Sequence, residues 1–147
     1  MPNWCEGVMK LRGTKDNILR FLKEGFEPSS YRYGNIEIDE FGEEVNIINV
    51  NYIENTNRAF VDEQYLYISD ALRTPIVTIK MRQAWDFSAG DFMAISEKYG
   101  LDIHLFGWEQ GMEFSREIEI FNGKVTKDET KTYDNWDWEV PFSNLGG

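Results

Sequence analysis

The sequence of 147 residues predicts a single α+β domain, and three features support this prediction. Two segments show the 3.6-residue spacing of apolar side chains that is typical of helices, and several segments alternate apolar and polar residues as strands do. The alternating segments outnumber the helical ones, which favours helices packed against an antiparallel sheet. The length is that of one ordinary domain, so residues 1–147 are predicted to form one unit.

The first half of the chain begins with a strand and a helix. Residues 7–12 alternate, and Thr14 is predicted to cap a helix that ends at Gly25. A polar segment over about 40–70 is predicted to be an insert in the middle of the domain. Short strands are predicted at its borders and within it, over 35–39, 45–50, 59–61 and 64–69.

The second half repeats the order of strand, helix and strand, and adds a hairpin. Ser88 is predicted to cap a second helix over 89–99. Asn122-Gly123 between two alternating segments is typical of a type I′ turn, so residues 112–147 are predicted to form a C-terminal β-hairpin and a tail. The two core strands that flank the second helix are predicted over 75–82 and 101–106.

Two strand–helix–strand units around an insert correspond to the ferredoxin-like βαββαβ core. That core has an antiparallel sheet with two helices on one face, and its first strand lies between the third and the fourth. The polar residues of the core strands should then share the open face of the sheet. The basic stripe predicted there consists of Lys10, Arg12, Lys80, Arg82 and His104. It is a candidate site for an anionic ligand, unless the acidic hairpin or the tail covers it.

The net charge of −11 limits the classes of partner. Residues 35–70 carry about −8 and residues 101–147 about −6. This acidity disfavours general binding to nucleic acid or to anionic membranes. Apolar runs of the ~20 residues that a membrane span needs are not present, and the first residues lack the pattern of a signal peptide. The single Cys5 fits a reducing compartment, so a cytoplasmic location is predicted.

Few catalytic or metal-binding chemistries fit this composition. Iron–sulfur clusters need about four cysteines, and structural zinc sites need four Cys or His ligands, whereas Cys5 and His104 are alone. No cofactor, metal site or catalytic residue is therefore predicted. Cys5 with His104 as its base is the one nucleophile–base pair to consider, and we favour a buried Cys and a His on the sheet surface. An enzyme is the least favoured class.

Acidic residues meet in the predicted hairpin. A two-residue turn would place Glu117 opposite Asp128, and like charges that face each other across strands are destabilising. We therefore expect either that the strands separate there or that a cation or a partner supplies positive charge.

The tail carries the best candidate for a protein interface. Tryptophan is enriched among the residues that dominate binding energy at interfaces, and an acidic rim suits a basic partner. The leading prediction is a non-catalytic protein that binds a protein partner, and the alternative is a module that sequesters an anionic small molecule or nucleic acid on the basic stripe. The predicted interface consists of Asp134, Trp136, Asp137, Trp138 and Glu139.

Three short motifs resemble one known family. Pro2-Asn3-Trp4-Cys5, followed by a strand, Gly13 and a helix, resembles the start of the YubB-like family of ferredoxin-like proteins. Phe106-Gly107-Trp108-Glu109-Gln110-Gly111-Met112-Glu113-Phe114 resembles its acidic, glycine and phenylalanine pattern after the last core strand, and Ala84-Trp85 a turn before its second helix. The resemblance implies the fold and a setting in bacterial plasmids or phages, with no settled activity. An anti-defence role is one concrete form of the leading prediction in that setting.

Overall fold

The chain folds into α+β structure around one large antiparallel sheet. A computed structural model describes residues 2–27, 35–49, 51–62, 65–69 and 76–147. In chain order the described elements are β1 (Trp4–Arg12), α1 (Lys15–Glu24), β2 (Phe26–Glu27), β3 (Asn35–Ile38), β4 (Glu44–Asn49), β5 (Tyr52–Ile53), β6 (Ala59–Val61), β7 (Tyr65–Ser69), β8 (Ile76–Ala84), α2 (Ala89–Tyr99), β9 (Asp102–Glu109), β10 (Phe114–Phe121), β11 (Lys124–Thr132) and α3 (Trp136–Glu139).

Eight strands form the large sheet in the order β11-β10-β9-β1-β8-β6-β5-β2, and a second sheet has the order β3-β4-β7. The strand pairs are antiparallel, which confirms the predicted α+β class. The large sheet has twice the four strands of the predicted βαββαβ core, with the hairpin β10–β11 at one edge and the short strands β6, β5 and β2 at the other. The predicted insert of about 40–70 contributes β4 to β7, and its residues 50, 63, 64 and 70 lie outside the described part of the chain.

One face of the large sheet carries the core. Along β1, Met9 and Leu11 are fully buried, whereas Lys10 is exposed, as the two-residue period of a strand requires. The helices α1 and α2 cover the buried face, and the rings of Phe21 and Tyr99 meet edge to face with centroids 5.1 Å apart. None of the helices in the described ranges has the length and apolar character needed to cross a bilayer.

The helix boundaries follow local signals in the sequence. The side chains of Thr14 and Ser88 each accept a hydrogen bond from a backbone N–H in the first turn of the helix that follows. Gly100 ends α2 with a φ of 65°, a left-handed conformation that glycine adopts without steric cost. The predicted range of 89–99 for this helix is therefore confirmed.

The C-terminal hairpin turns at Asn122-Gly123, as predicted, with positive φ at both residues. Close to the turn, a β-bulge at Glu119 and Ile120 shifts the register of β10 against β11 by one residue. Because side chains of a strand alternate between the two faces, one extra residue reverses the face of every later side chain in β11.

This shift changes which charges meet. Glu117 pairs with Glu129, so the prediction that it faces Asp128 is wrong. Asp128 points to the other face, where its Oδ1 lies 2.6 Å from Nη2 of Arg116. Lys127 now lies on the open face and places its Nζ 2.8 Å from Glu117 Oε1. The positive charge that the acidic hairpin needs is supplied by the chain itself.

Candidate functional site

Three adjacent strands bring the basic stripe together on the open face. Lys10 of β1 lies directly opposite His104 of β9 and Thr78 of β8. Lys80 lies opposite Val8, which is two residues before Lys10 on β1 and points to the same face. Lys10 and Lys80 are exposed, and neither is in an ion pair with another described residue.

The two arginines of the stripe are paired within the chain. Arg12 Nη2 lies 3.0 Å from Asp102 Oδ2, and Arg82 Nη1 lies 3.4 Å from Asp62 Oδ1. The guanidinium of Arg82 also stacks over the ring of Trp4, 5.3 Å from its centroid. These pairs reduce the positive charge that the stripe offers to an outside ligand.

His104 belongs to a cluster that sequence reasoning missed. Its Nε2 lies 2.8 Å from Glu117 Oε2 and 3.9 Å from Glu119 Oε1. The hydrogen bond from Lys127 has the largest effect on the Glu117 carboxyl and lowers its pKa; burial opposes this, and the hydrogen bond with His104 adds to the lowering. The sequence does indicate that Glu117 and Glu119 share one face of a strand, because they are two residues apart. It does not indicate that His104 joins them, because that depends on how β9 pairs with β10.

A groove lies beside this cluster at one end of the open face. It has a volume of about 200 Å³, and the exposed apolar side chains that line it are Ile76 and Phe121. Lys10, Arg12 and His104 are among its polar lining residues. The groove is therefore one place in the described part of the open face where a small ligand could meet the basic stripe.

The tail covers the opposite end of the open face. The backbone of Gly147 exchanges two hydrogen bonds with that of Trp4, at 2.9 and 3.3 Å. The ring of Phe142 meets that of Trp108 edge to face, with centroids 5.5 Å apart. The tail is docked on the start of β1 and the end of β9, and it leaves exposed Lys10 at the groove end of β1 uncovered.

The short helix α3 points its two tryptophans in opposite directions. Trp136 is buried, and its Nε1–H donates a hydrogen bond to the Ser143 carbonyl at 2.8 Å. Trp138 is 86% exposed. Residues two positions apart in a helix point about 200° apart, so both could not share one surface. Trp136 therefore anchors the tail and does not belong to the exposed surface on which it was predicted.

The acidic residues around Trp138 have two different roles. Glu139 accepts a hydrogen bond from the Asn135 N–H at 2.8 Å, and the Asn135 side chain accepts one from the Trp138 N–H, so the two residues cap α3. Asp134 and Asp137 are exposed surface charges. We refer to Asp134, Asp137, Trp138 and Glu139 as the acidic tail surface.

Cys5 and His104 do not form a catalytic pair. Cys5 is fully buried on the helix-covered face of β1, whereas His104 lies on the open face opposite Lys10. Burial, reinforced by the nearby Asp86 carboxylate, raises the pKa of the Cys5 thiol. A thiol of this kind is inert, because the thiolate is the nucleophile.

Comparison with known proteins adds no relatives to this picture. No protein-family model, no curated protein and no solved structure matches the chain. The resemblance to the YubB-like family therefore stays a prediction, and function has to be inferred from the acidic tail surface, the groove and the cluster around His104.

Proposed function

We propose that this chain is a non-catalytic binding protein that engages a basic protein partner through the acidic tail surface. One observation carries the proposal: Trp138 is 86% exposed in a folded tail, beside the exposed carboxylates of Asp134 and Asp137. An indole on a surface gains free energy when a partner removes it from water. Tryptophan is also one of the residue types enriched among binding hot spots.

The way the tail is held favours binding. Trp136 is buried and hydrogen-bonded to Ser143, and the backbone of Gly147 is bonded to that of Trp4. A surface that is already ordered loses little conformational freedom when it binds. The net charge of −11 would attract a basic partner and accelerate its encounter with the chain.

We further propose that the centre of the large sheet is a ferredoxin-like core. The order β9-β1-β8-β6 supports this, with α1 between β1 and β6 in the sequence and α2 between β8 and β9. The setting in a bacterial mobile element and the anti-defence role belong to this proposal as well. They rest on the resemblance at Pro2-Asn3-Trp4-Cys5 and in the segment 106–114.

Replacing Trp138 with Ala and Asp137 with Lys should abolish partner binding without unfolding the chain. Both side chains are exposed, and loss of a central hot-spot residue weakens binding by about 2–4 kcal/mol. The measurement is affinity capture of partners from bacterial lysate at low and moderate salt, followed by titration of the captured protein against each purified variant. Glu139 is left unchanged because it caps α3.

The matched control replaces Glu40 with Lys, which changes the net charge by the same amount as Asp137→Lys. Glu40 is exposed and lies in the insert, far along the chain from the tail. This control lowers the negative charge without touching the acidic tail surface, so it should bind nearly as well as the unchanged chain. The proposal of a specific tail surface would be contradicted if the tail variant captured as much partner as the unchanged chain. It would also be contradicted if the control lost as much partner binding as the tail variant. Failure of the unchanged chain to retain any basic protein would contradict the proposed function.

A second candidate function is the binding of a small anionic ligand in the groove. The observation that favours it is the exposed, unpaired Lys10 beside a groove of about 200 Å³. Because Arg12 is already paired with Asp102, fewer positive charges are free than the sequence indicated. This candidate is therefore placed second.

The groove is tested by calorimetric titration with ATP and with inorganic pyrophosphate at low salt. The Lys10→Ala variant should bind about 10- to 150-fold more weakly, because a hydrogen bond to a charged group contributes about 1.5–3 kcal/mol. Lys15→Ala, which removes an exposed lysine from α1, is the control. If neither anion gives saturable heat, or if both variants behave alike, the groove does not bind small phosphates.

A further inference from the structure

The cluster around His104 consists of three side chains with metal-binding atoms on neighbouring strands. His104 lies directly opposite Glu119 across β9 and β10. Glu117 is two residues before Glu119, so both carboxylates project from the same face of β10. One oxygen from each carboxylate and one ring nitrogen lie within 4.8 Å of one another.

The distances suit a single metal ion at the centre of the three atoms. His104 Nε2 is 2.8 Å from Glu117 Oε2 and 3.9 Å from Glu119 Oε1. Two ligands at about 2.0–2.1 Å from a tetrahedral zinc ion lie roughly 3.4 Å apart. The two separations lie on either side of that value, and the two carboxylate oxygens lie within 4.8 Å of each other, so side-chain movements of up to about an ångström would complete the arrangement.

Lys127 orients one carboxylate of the cluster, and solvent can reach all three side chains. Lys127 is bound to Oε1 of Glu117, which leaves Oε2 directed at His104. Lys127 thus holds Glu117 in place in the way that outer partners orient the ligands of metal sites. The side chains of His104, Glu117 and Glu119 are 32, 22 and 38% exposed, so an ion can reach them from solvent.

Two cationic neighbours oppose a bound metal ion: Lys10 lies opposite His104 on β1, and Lys127 is bound to Glu117. The Lys10 side chain is exposed and the Lys127 side chain is 35% exposed, so solvent weakens both repulsions. The groove includes both His104 and Glu119 in its lining. An ion bound there would keep open positions for water or an anionic ligand, as metal sites with three protein ligands do.

We propose that His104, Glu117 and Glu119 bind one divalent transition-metal ion, with zinc as the best match. One imidazole nitrogen and two carboxylate oxygens form a mixed set that suits first-row transition metals. Calcium and magnesium are poorer matches, because they prefer sites made of oxygen ligands alone. This proposal is independent of the acidic tail surface and of the function assigned to it.

The direct test is zinc titration of the full chain after treatment with EDTA, with a chromophoric chelator as the competitor. We expect one zinc ion per chain. Because the chain has a single histidine, its imidazole gives one set of nitrogen-correlated NMR signals, and zinc should shift that set. Zinc should also raise the melting temperature, since a ligand that binds only the folded chain stabilises it.

The variants His104→Gln and Glu119→Gln should each bind zinc at least about tenfold more weakly, which is the effect of losing even an outer partner at metal sites. Glu129→Gln is the matched control: it removes a carboxylate near Lys127 that is 67% exposed and not in the cluster. Three results would overturn the proposal: no saturable zinc binding, imidazole signals that zinc leaves unchanged, or equal affinity in His104→Gln and the unchanged chain.

Discussion

Gly7→Ala is expected to prevent folding or to lower the free energy of unfolding by more than about 4 kcal/mol. Gly7 lies in β1 directly opposite Gly107 of β9, inside the sheet. A β-carbon on Gly7 would lie 2.6 Å from the Gly107 Cα and closer still to the Phe106 carbonyl oxygen. Both obstacles are backbone atoms, so they can move only if β9 shifts away from β1.

The free energy of unfolding is measured by urea denaturation followed through tryptophan fluorescence, and circular dichroism reports whether the variant folds at all. The control is Gly90→Ala in the first turn of α2, where the nearest atom to a new β-carbon is Ser88 Oγ at 3.9 Å. Alanine is preferred to glycine in a helix by roughly 0.5–1 kcal/mol, so this control should be as stable as the unchanged chain or more stable. A Gly7→Ala variant within about 1 kcal/mol of the unchanged chain would contradict the close contact.

Much of the fold could be predicted because its signals are local. The range of α2 follows from Ser88 and Gly100, and the turn at Asn122-Gly123 follows from the two residues that adopt positive φ there. Each of these features depends on a few neighbouring residues. The sharing of the open face by Lys10 and His104 also followed from strand alternation together with the predicted strand order.

The features that were missed depend on the pairing of distant residues. The bulge beside Glu119 moves Lys127 to the open face, and no local pattern marks it. The connection over 110–113 between β9 and β10 decides that His104 meets Glu119. The burial of Trp136 also depends on a residue outside its own helix, because its indole N–H donates a hydrogen bond to the carbonyl of Ser143, seven residues further along the chain.

Phe87→Ala should lower the free energy of unfolding by about 3–5 kcal/mol, the usual effect of emptying an aromatic site in a core. Phe87 is 2% exposed and belongs to the main hydrophobic core. A β-carbon on Gly107 would lie 2.5 and 2.6 Å from two atoms of its ring. The ring therefore packs against β9 in space that is free only because residue 107 has no side chain. The same urea denaturation measures this effect.

The relation between Phe87 and Gly107 allows a sharper test than either variant alone. Gly107→Ala should destabilise the unchanged chain, because the new methyl group meets the Phe87 ring, and it should be better tolerated once Phe87→Ala has removed that ring. A double-mutant cycle should therefore give a favourable coupling of at least about 1 kcal/mol. Additive effects would contradict this packing.

Removal of the Phe87 ring should restore only part of the stability that Gly107→Ala costs, because Cys5 Sγ would still lie 3.1 Å from the new β-carbon. Gly7→Ala should gain nothing from Phe87→Ala, since the atoms in its way belong to the backbone of β9.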